Sequence, residues 1–215
     1  MSPDVIVLPE WRDNASGALI QRGFETAGFL VTTLSRSRSN GILLATKNAF
    51  QSRRVTPVGS GKGELLLADL ATGCKLLAAY FPQGKAKIPF FEVCIDEAVC
   101  SSAVPWLLIG DLNTGRNHSD VQGNGTSFEC ADLFEALQSK AELVDLWRIE
   151  HGQQREWSWR SKINGFRVDH AFANTAFQNR YPRIRCIYDH SPREIGLTDH
   201  SALILRSTTT SGWES

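Results

Sequence analysis

The stretch Leu107–Asn113, LLIGDLN, runs from an apolar segment directly into a carboxylate and a carboxamide. The apolar part is typical of a buried strand. Asp111 and Asn113 could form a simple turn, because Asp and Asn tolerate turn geometry and hydrogen-bond their own backbone. Alternatively, they end the strand because they belong to a functional site. Other strand ends in the chain decide between these readings.

Polar side chains also occur at the ends of other apolar runs. Glu10 closes DVIVLPE, Tyr80 closes LLAAY, Asp169 lies within FRVDHAFAN, and Asp199 and His200 precede SALILRS. Burying such groups without partners costs several kcal/mol each. We therefore expect these side chains to converge at one place.

A cluster of carboxylates has a consequence for metal binding. Carboxylates that lie close together repel one another and raise each other's pKa, and a divalent cation relieves that repulsion. A few oxygen ligands, with positions left for water and phosphate, suit Mg²⁺ or Mn²⁺ better than zinc. The pattern predicts that Asp111 and Asn113 face a metal and a phosphate.

The order of the predicted elements indicates the fold class. Strands and helices alternate, but several strand pairs form hairpins, which predicts mixed sheets with helices outside. We find no internal repeat and no domain boundary. We predict a single domain over residues 1–206 and a mobile tail over 207–215.

The composition narrows the partners and the compartment. The formal net charge of the 215 residues is zero, so nucleic acid must be bound by local patches. The five Cys show no CxxC spacing, which favours a reducing compartment. We recognise no signal peptide or membrane span, and we expect a cytoplasmic protein without a membrane partner.

Five segments occur in the order found in one known superfamily: VIVLPE, AAYFPQG, LLIGDLN, FRVDHAF and LTDHSAL, over positions 5 to 205. The chain resembles the endonuclease/exonuclease/phosphatase superfamily, and its exonuclease III-like branch most, because Tyr80 stands where other branches tend to place a His. The resemblance implies a four-layer α/β sandwich of the DNase I type, with two mixed sheets face to face and helices outside. It also implies Mg²⁺-dependent phosphodiester hydrolysis, most readily in DNA, by an exonuclease or an abasic-site endonuclease.

The resemblance also implies roles for the metal and phosphate ligands. Glu10 would be the main metal ligand, with Asp199 as a second or indirect ligand. Asp111 would hold or deprotonate the attacking water, and Asn113 would hold the phosphate. An alternative for Glu10 is a structural position just before a helix cap.

The remaining implied roles concern proton transfer and phosphate contacts. Asp169 would orient His200, which acts either as a base or as a donor to the phosphate. Tyr80 would contact the phosphate, and Gln83 would reach a flanking phosphate. Tyr80 could instead be a core residue, and Gln83 a turn residue.

A basic and aromatic segment over residues 147–167 is the expected DNA surface, because cations meet phosphates and rings meet bases or sugars. Trp159, Phe166 and Val168 lie where abasic-site enzymes keep an apolar pocket beside the scissile phosphate. Arg160 and Lys162 are the expected phosphate contacts. The segment also contains these residues: Trp147, Arg148, Arg155, Trp157 and Arg167.

One departure from the superfamily pattern concerns its usual first strand, which ends in Asn and precedes the strand matching DVIVLPE. The sequence starts at Met1 without it. We therefore expect either a truncated chain or a different closure of the sheet, with an exposed edge that invites self-association. Two alternatives stay open: an enzyme for a small phosphorylated substrate, and a non-catalytic member that binds nucleic acid or protein.

Overall fold

The computed structural model describes residues 3–36, 38–59, 61–123 and 127–207. Its strands are β1 (Val5–Trp11), β2 (Leu30–Leu34), β3 (Gly41–Thr46), β4 (Phe50–Arg54), β5 (Glu64–Leu70), β6 (Lys75–Tyr80), β7 (Trp106–Asp111), β8 (Val144–Asp145), β9 (Trp159–Arg160), β10 (Gly165–Phe166), β11 (Asp169–Ala173), β12 (Ile184–Asp189) and β13 (Ala202–Ser207). Its helices are α1 (Ala15–Thr26), α2 (Ile88–Cys100), α3 (Ala131–Ala141), α4 (Leu146–His151), α5 (Thr175–Arg180) and α6 (Ser191–Glu194), with a short 3₁₀ helix at Gly84–Lys87.

The larger sheet contains six strands in the order β4-β5-β6-β7-β11-β8. Only β6 and β7 are parallel, and the other neighbours are antiparallel. Parallel neighbours need a crossover, which α2 provides. The larger sheet is therefore mixed, as the sequence predicts.

The second β layer consists of two antiparallel sheets, β1-β3-β2 and β12-β13. An apolar core lies between the layers and includes Ile42 and Leu44 of β3 packed with Leu76 and Ala78 of β6. The predicted sandwich of facing sheets is confirmed.

Helices cover the outer faces of both layers. Phe90 and Phe91 of α2 and Phe134 of α3 are fully buried in a second core against the larger sheet. Phe24 of α1 packs into a third core beneath β1-β3-β2. The α1 helix begins directly after Asn14, whose side chain accepts a hydrogen bond from the Gly17 backbone N–H.

Two predictions about the chain ends have different outcomes. Among the described strands, β1 has a paired neighbour on one side only, so one backbone edge is open. Ser207, placed in the predicted tail, is the last residue of β13 instead, because its strand pairs with β12 up to that position. The rest of the tail lies outside the described residues.

No helix in the described part of the chain is long and apolar enough to cross a membrane.

Candidate active site

Three neighbouring strands of the larger sheet place polar side chains side by side. Tyr80 at the end of β6 pairs in register with Asp111 at the end of parallel β7. Asp111 pairs in turn with Asp169 at the start of antiparallel β11. The strand ends that the sequence predicts to converge are therefore adjacent.

Asp111 and Asn113 form a compact unit after β7. One Asp111 carboxylate oxygen accepts the Asn113 backbone N–H at 2.8 Å, and the other accepts the Asn113 side-chain amide at 3.1 Å. Asn113 adopts a left-handed conformation with φ 48°, which Asn tolerates better than most residues. Burial and the charge of Asp169 raise the pKa of Asp111 to about 8. LLIGDLN therefore ends in a turn that holds the Asp111 carboxyl in place, and its role in a functional site stays a prediction.

His200 is bound to Asp169. Its Nδ1 lies 2.8 Å from Oδ2 of Asp169. Burial alone would lower the pKa of His200, but the hydrogen bond and the charge of Asp169 outweigh it and raise the pKa to about 9. The Asp169 backbone N–H donates to the Ser158 hydroxyl at 3.0 Å, which anchors the backbone of Asp169.

Glu10 reaches the site through a break in β1. The register with β3 shifts between Pro9 and Trp11, and Glu10 is left-handed with φ 61°, so its exposed side chain turns out of the strand. Tyr80 donates its hydroxyl hydrogen to Glu10 Oε1 at 3.0 Å. Burial is the largest of the causes that raise the pKa of Tyr80 to about 12. Tyr80 is therefore a partly buried residue at the site, not a residue of the core alone.

Asn40 and Arg12 extend this contact and were missed by the sequence analysis. Asn40 donates to the Tyr80 hydroxyl at 3.2 Å, and Arg12 donates to the Asn40 side-chain oxygen at 2.5 Å. The resulting chain of hydrogen bonds runs from Arg12 through Asn40 and Tyr80 to Glu10. The polar turn between β2 and β3 was the sequence signal from which Asn40 could have been found. Nothing in that turn itself indicated a contact with β6.

Asp199 lies on the other side of the site. Its Oδ2 accepts the Trp159 indole N–H at 2.8 Å, and its Oδ1 is 4.0 Å from His200 Nε2. The structure thus brings Asp199 next to Trp159 and His200.

The β9-β10 hairpin carries the predicted substrate residues. Trp159 and Phe166 stack with ring centroids 5.5 Å apart. Trp159 also bridges to His200, which fixes the hairpin beside the site. Arg160 and Lys162 are exposed next to this stack. Gln83 is exposed on the opposite side, at the beginning of the 3₁₀ helix.

Two arginines of the expected DNA surface are wrongly assigned by the sequence analysis. Arg167 is fully buried, and it donates to Asp120 at 2.7 Å and to Asp145 at 2.6 Å. Arg148 also pairs with Asp120. Carboxylates that lie distant in sequence bind both guanidinium groups, so neither is available to a phosphate.

The same ion pairs surround His170, directly after Asp169. His170 is fully buried, and its Nε2 lies 2.8 Å from the carbonyl oxygen of Thr114. Burial and the charge of Arg167 lower its pKa to about 4. Neutral His170 therefore donates to Thr114 and holds the loop that follows Asn113.

A buried lysine supports the same loop from the other side. Lys87 is 2% exposed, and its Nζ lies 2.5 Å from the Asn113 carbonyl oxygen. Burial lowers its pKa. The sequence analysis missed Lys87, which stands in an otherwise ordinary KAK segment.

The oxygen donors at the site suit a divalent cation that keeps most of its water ligands. In the described part of the chain, no group of three or more His, Cys, Asp or Glu residues forms a protein-only metal cage. Mg²⁺ usually retains waters and takes one or two carboxylates plus substrate phosphate. Exposed Glu10 would supply one such carboxylate. Burial and the charge of Asp169 raise the pKa of Asp111, and a cation held nearby would lower it again.

Comparison with solved structures finds the same fold in DNA-processing enzymes. A variant of the 3′ phosphatase NExo from Neisseria, bound to a product DNA hairpin, matches with TM-score 0.82 and 16% identity, covering 96% of this chain and 90% of that one. An AP endonuclease from Archaeoglobus fulgidus matches with TM-score 0.77 and 20% identity over the same shares of the chains. The AP endonuclease LMAP from Leishmania major matches with TM-score 0.72 and 16% identity, covering 96% and 79%.

No family model and no curated protein matches the sequence. The similarity is therefore one of structure over nearly the whole chain, at identities of 20% or below for the three relatives above. The predicted resemblance to exonuclease III-like proteins is confirmed at the level of the fold.

Proposed function

We propose that the protein is a Mg²⁺-dependent phosphodiester hydrolase that acts on DNA. The observation that carries this proposal is the adjacency of Tyr80, Asp111 and Asp169 at three neighbouring strand ends, with His200 bound to Asp169. Each side chain has a partner that fixes its orientation, which is the preorganisation that hydrolytic sites need.

The proposed chemistry assigns the proton transfer to Asp111. Burial and the charge of Asp169 raise the pKa of Asp111, and a raised pKa makes its ionised carboxylate a stronger base toward water than an ordinary carboxylate. Asn113 is bonded to Asp111 and orients it. Protonated His200, which Asp169 stabilises, donates a hydrogen bond to a phosphate oxygen as charge develops there.

Glu10 would hold the cation, with Asp199 as an indirect ligand from the His200 side. Held there, Mg²⁺ would supply positive charge for the phosphate and the leaving oxygen. Tyr80 keeps Glu10 in place through its hydroxyl and faces the same phosphate. Mn²⁺ is expected to replace Mg²⁺, because both prefer oxygen ligands.

DNA is the proposed substrate because both sides of the site offer complementary groups. The stacked rings of Trp159 and Phe166 supply an apolar surface for a sugar or a base, and Arg160 and Lys162 supply charge for phosphates. Gln83 contacts a flanking phosphate on the other side. One relative in fold was solved with a DNA hairpin product, which supports the assignment.

The test is cleavage of a labelled duplex with one abasic site, beside an intact duplex, in Mg²⁺, Mn²⁺ or EDTA. We expect metal-dependent cleavage that is lost in His200→Ala, and the product ends will distinguish endonuclease from exonuclease. If the folded protein cleaves only a small phosphodiester or phosphomonoester, that small molecule replaces DNA as the proposed substrate. If the folded protein turns over none of these substrates, the alternative of a non-catalytic binding protein replaces the proposed enzyme.

Metal binding has a test that does not depend on activity. Mn²⁺ binding followed by electron paramagnetic resonance should weaken about tenfold or more in Glu10→Gln, because one anionic ligand is lost. Glu92→Gln on α2 is the matched control. Equal Mn²⁺ affinity of both variants and the wild type would remove Glu10 as a ligand.

We also propose that the open edge of β1 pairs with a second copy of the chain. Its free backbone groups favour such pairing, since an unpaired edge is a template for another strand. Sedimentation velocity over a range of concentrations should show a monomer–dimer equilibrium. A monomer at every concentration would refute it.

The proposed compartment is the cytoplasm. All five Cys are free, and Cys74, Cys94 and Cys186 are buried, which fits a reducing environment. Fractionation of cells that produce the protein tests this assignment, and recovery outside the cytoplasm would contradict it.

A further inference from the structure

A cleft of about 580 Å³ opens beside the candidate active site, on the side of Tyr80 opposite to the Trp159 stack. It is formed by the turn between β2 and β3, the segment before β5, and the loop after β6. Its lining includes Arg12, Arg38, Asn40, Lys62, Tyr80 and Gln83. None of the described lining residues of this cleft is a carboxylate.

The charge of the cleft is not neutralised from within the described chain. Arg38 and Lys62 are exposed, and neither side chain forms an ion pair with a described residue. Glu64, the buried register partner of Tyr80 on β5, is already bound by Arg36 and Arg54 at 3.2 and 2.9 Å. The cleft therefore presents uncompensated positive charge in a concave surface, which favours a phosphate-bearing ligand.

The cleft is connected to the candidate active site by hydrogen bonds. Arg12 at the cleft binds Asn40, Asn40 binds the Tyr80 hydroxyl, and Tyr80 binds Glu10. Tyr80 thus forms both a wall of the cleft and a contact of the proposed metal ligand. A ligand in the cleft would lie directly next to a phosphate held at Asp111 and His200.

We propose that this cleft binds the nucleotide adjacent to the scissile phosphate and that Arg38 and Lys62 bind that nucleotide's own phosphate. The proposal rests on the proposed function and narrows it to DNA strands that carry a second phosphate on the Tyr80 side. Gln83 and Asn40 supply neutral hydrogen-bond donors for the same group or its sugar. A small phosphodiester with a single phosphate would leave the cleft empty.

The experiment is a phosphate scan measured by equilibrium binding. Labelled oligonucleotides, each with one neutral methylphosphonate in place of a phosphate, are bound in EDTA by wild type and by the double variant R38Q/K62Q. We expect that a methylphosphonate at one position next to the scissile phosphate weakens binding by the wild type about tenfold. The double variant should bind the unmodified strand about tenfold more weakly and be insensitive to methylphosphonate at that position.

The control and the contrary outcomes separate this inference from the proposed function. R22Q/K140Q, which removes the same charge from the solvent-exposed faces of α1 and α3, should bind like wild type. If R38Q/K62Q binds DNA like this control, or keeps the wild-type sensitivity at every position, the cleft does not hold a phosphate. If wild type binds no DNA at all, the DNA assignment itself fails and this inference with it.

Discussion

The Nδ1 atom of His200 lies 2.8 Å from Oδ2 of Asp169, and Asp169 is the register partner of Asp111 across β7 and β11. One carboxylate therefore serves two neighbours: its hydrogen bond and charge raise the pKa of the imidazole, and its charge helps to raise the pKa of Asp111. Asp169 couples a cationic donor to a candidate base without itself needing to touch the substrate.

Asp169→Asn should lower turnover by about 10²–10⁴-fold, the range for loss of acid–base positioning. The cause is the loss of the charged partner of His200, and the fold should persist because the backbone pairing of β11 is unchanged. Turnover is measured on the abasic duplex beside His200→Ala and the double variant. The double variant should be little worse than His200→Ala alone, because the two residues act as a unit. Fully multiplicative losses would contradict the coupling.

The strand ends of the site could be predicted from sequence because each signal is local. An apolar run that ends in Glu10, Tyr80 or Asp111 is visible in the linear sequence, and the layered fold follows from the alternation of such runs with helices. Contacts between distant segments are not visible in this way. Arg167 resembles a surface cation in a basic segment, but its partners Asp120 and Asp145 lie 47 and 22 residues away.

The same limit applies to Asn40 and Lys87. Asn40 and Tyr80 are 40 residues apart in sequence. They are in contact only because the β2-β3 turn of one layer meets the end of β6 in the other layer. Lys87 is buried because the 3₁₀ helix turns its side chain toward Asn113, whereas its neighbour Lys85 stays exposed. Nothing in the KAK segment itself distinguishes the two lysines.

Lys87→Met should destabilise the fold by about 1–3 kcal/mol, because the Asn113 carbonyl would lose its charged donor in a buried setting. It should also lower kcat while leaving KM unchanged, since Asn113 would lose its fixed position beside Asp111. Urea unfolding and steady-state kinetics measure the two effects. Lys85→Met removes the same charge from an exposed position two residues earlier and is the matched control. Identical behaviour of both variants would exclude a positioning role for Lys87.

The stability of the protein should depend on pH through His170. Its pKa is about 4 in the folded state, below the ordinary value of 6.5, so the folded state resists protonation. Its contribution is fully present above about pH 6.5 and is lost as the pH falls from there toward about 4, with a slope approaching about 1.4 kcal/mol per pH unit. The groups that face it are Arg167, Asp145 and Asp120.

The measurement for His170 is urea unfolding at several pH values for wild type and His170→Phe. The variant should be less stable at neutral pH, because the Thr114 carbonyl loses its donor, and its stability should fall less steeply below about pH 6.5. The difference between the two proteins removes the titration of carboxylates that both share. Parallel pH curves would mean that His170 does not resist protonation in the folded state.

Replacing Arg160 and Lys162 together with Gln should weaken binding to duplex DNA and reduce the slope of log affinity against log salt by about 1 to 2, since each cation that contacts a phosphate releases about one counterion. Both side chains are exposed on the hairpin that Trp159 fixes beside His200, so the change should not unfold the protein. Fluorescence anisotropy over a series of salt concentrations gives the slope. The double replacement of Arg22 and Lys140 with Gln, on the outer helices, removes equal charge and should leave the slope unchanged. If the two double variants have the same slope, the hairpin lies outside the DNA interface and the Trp159–Phe166 stack needs another explanation.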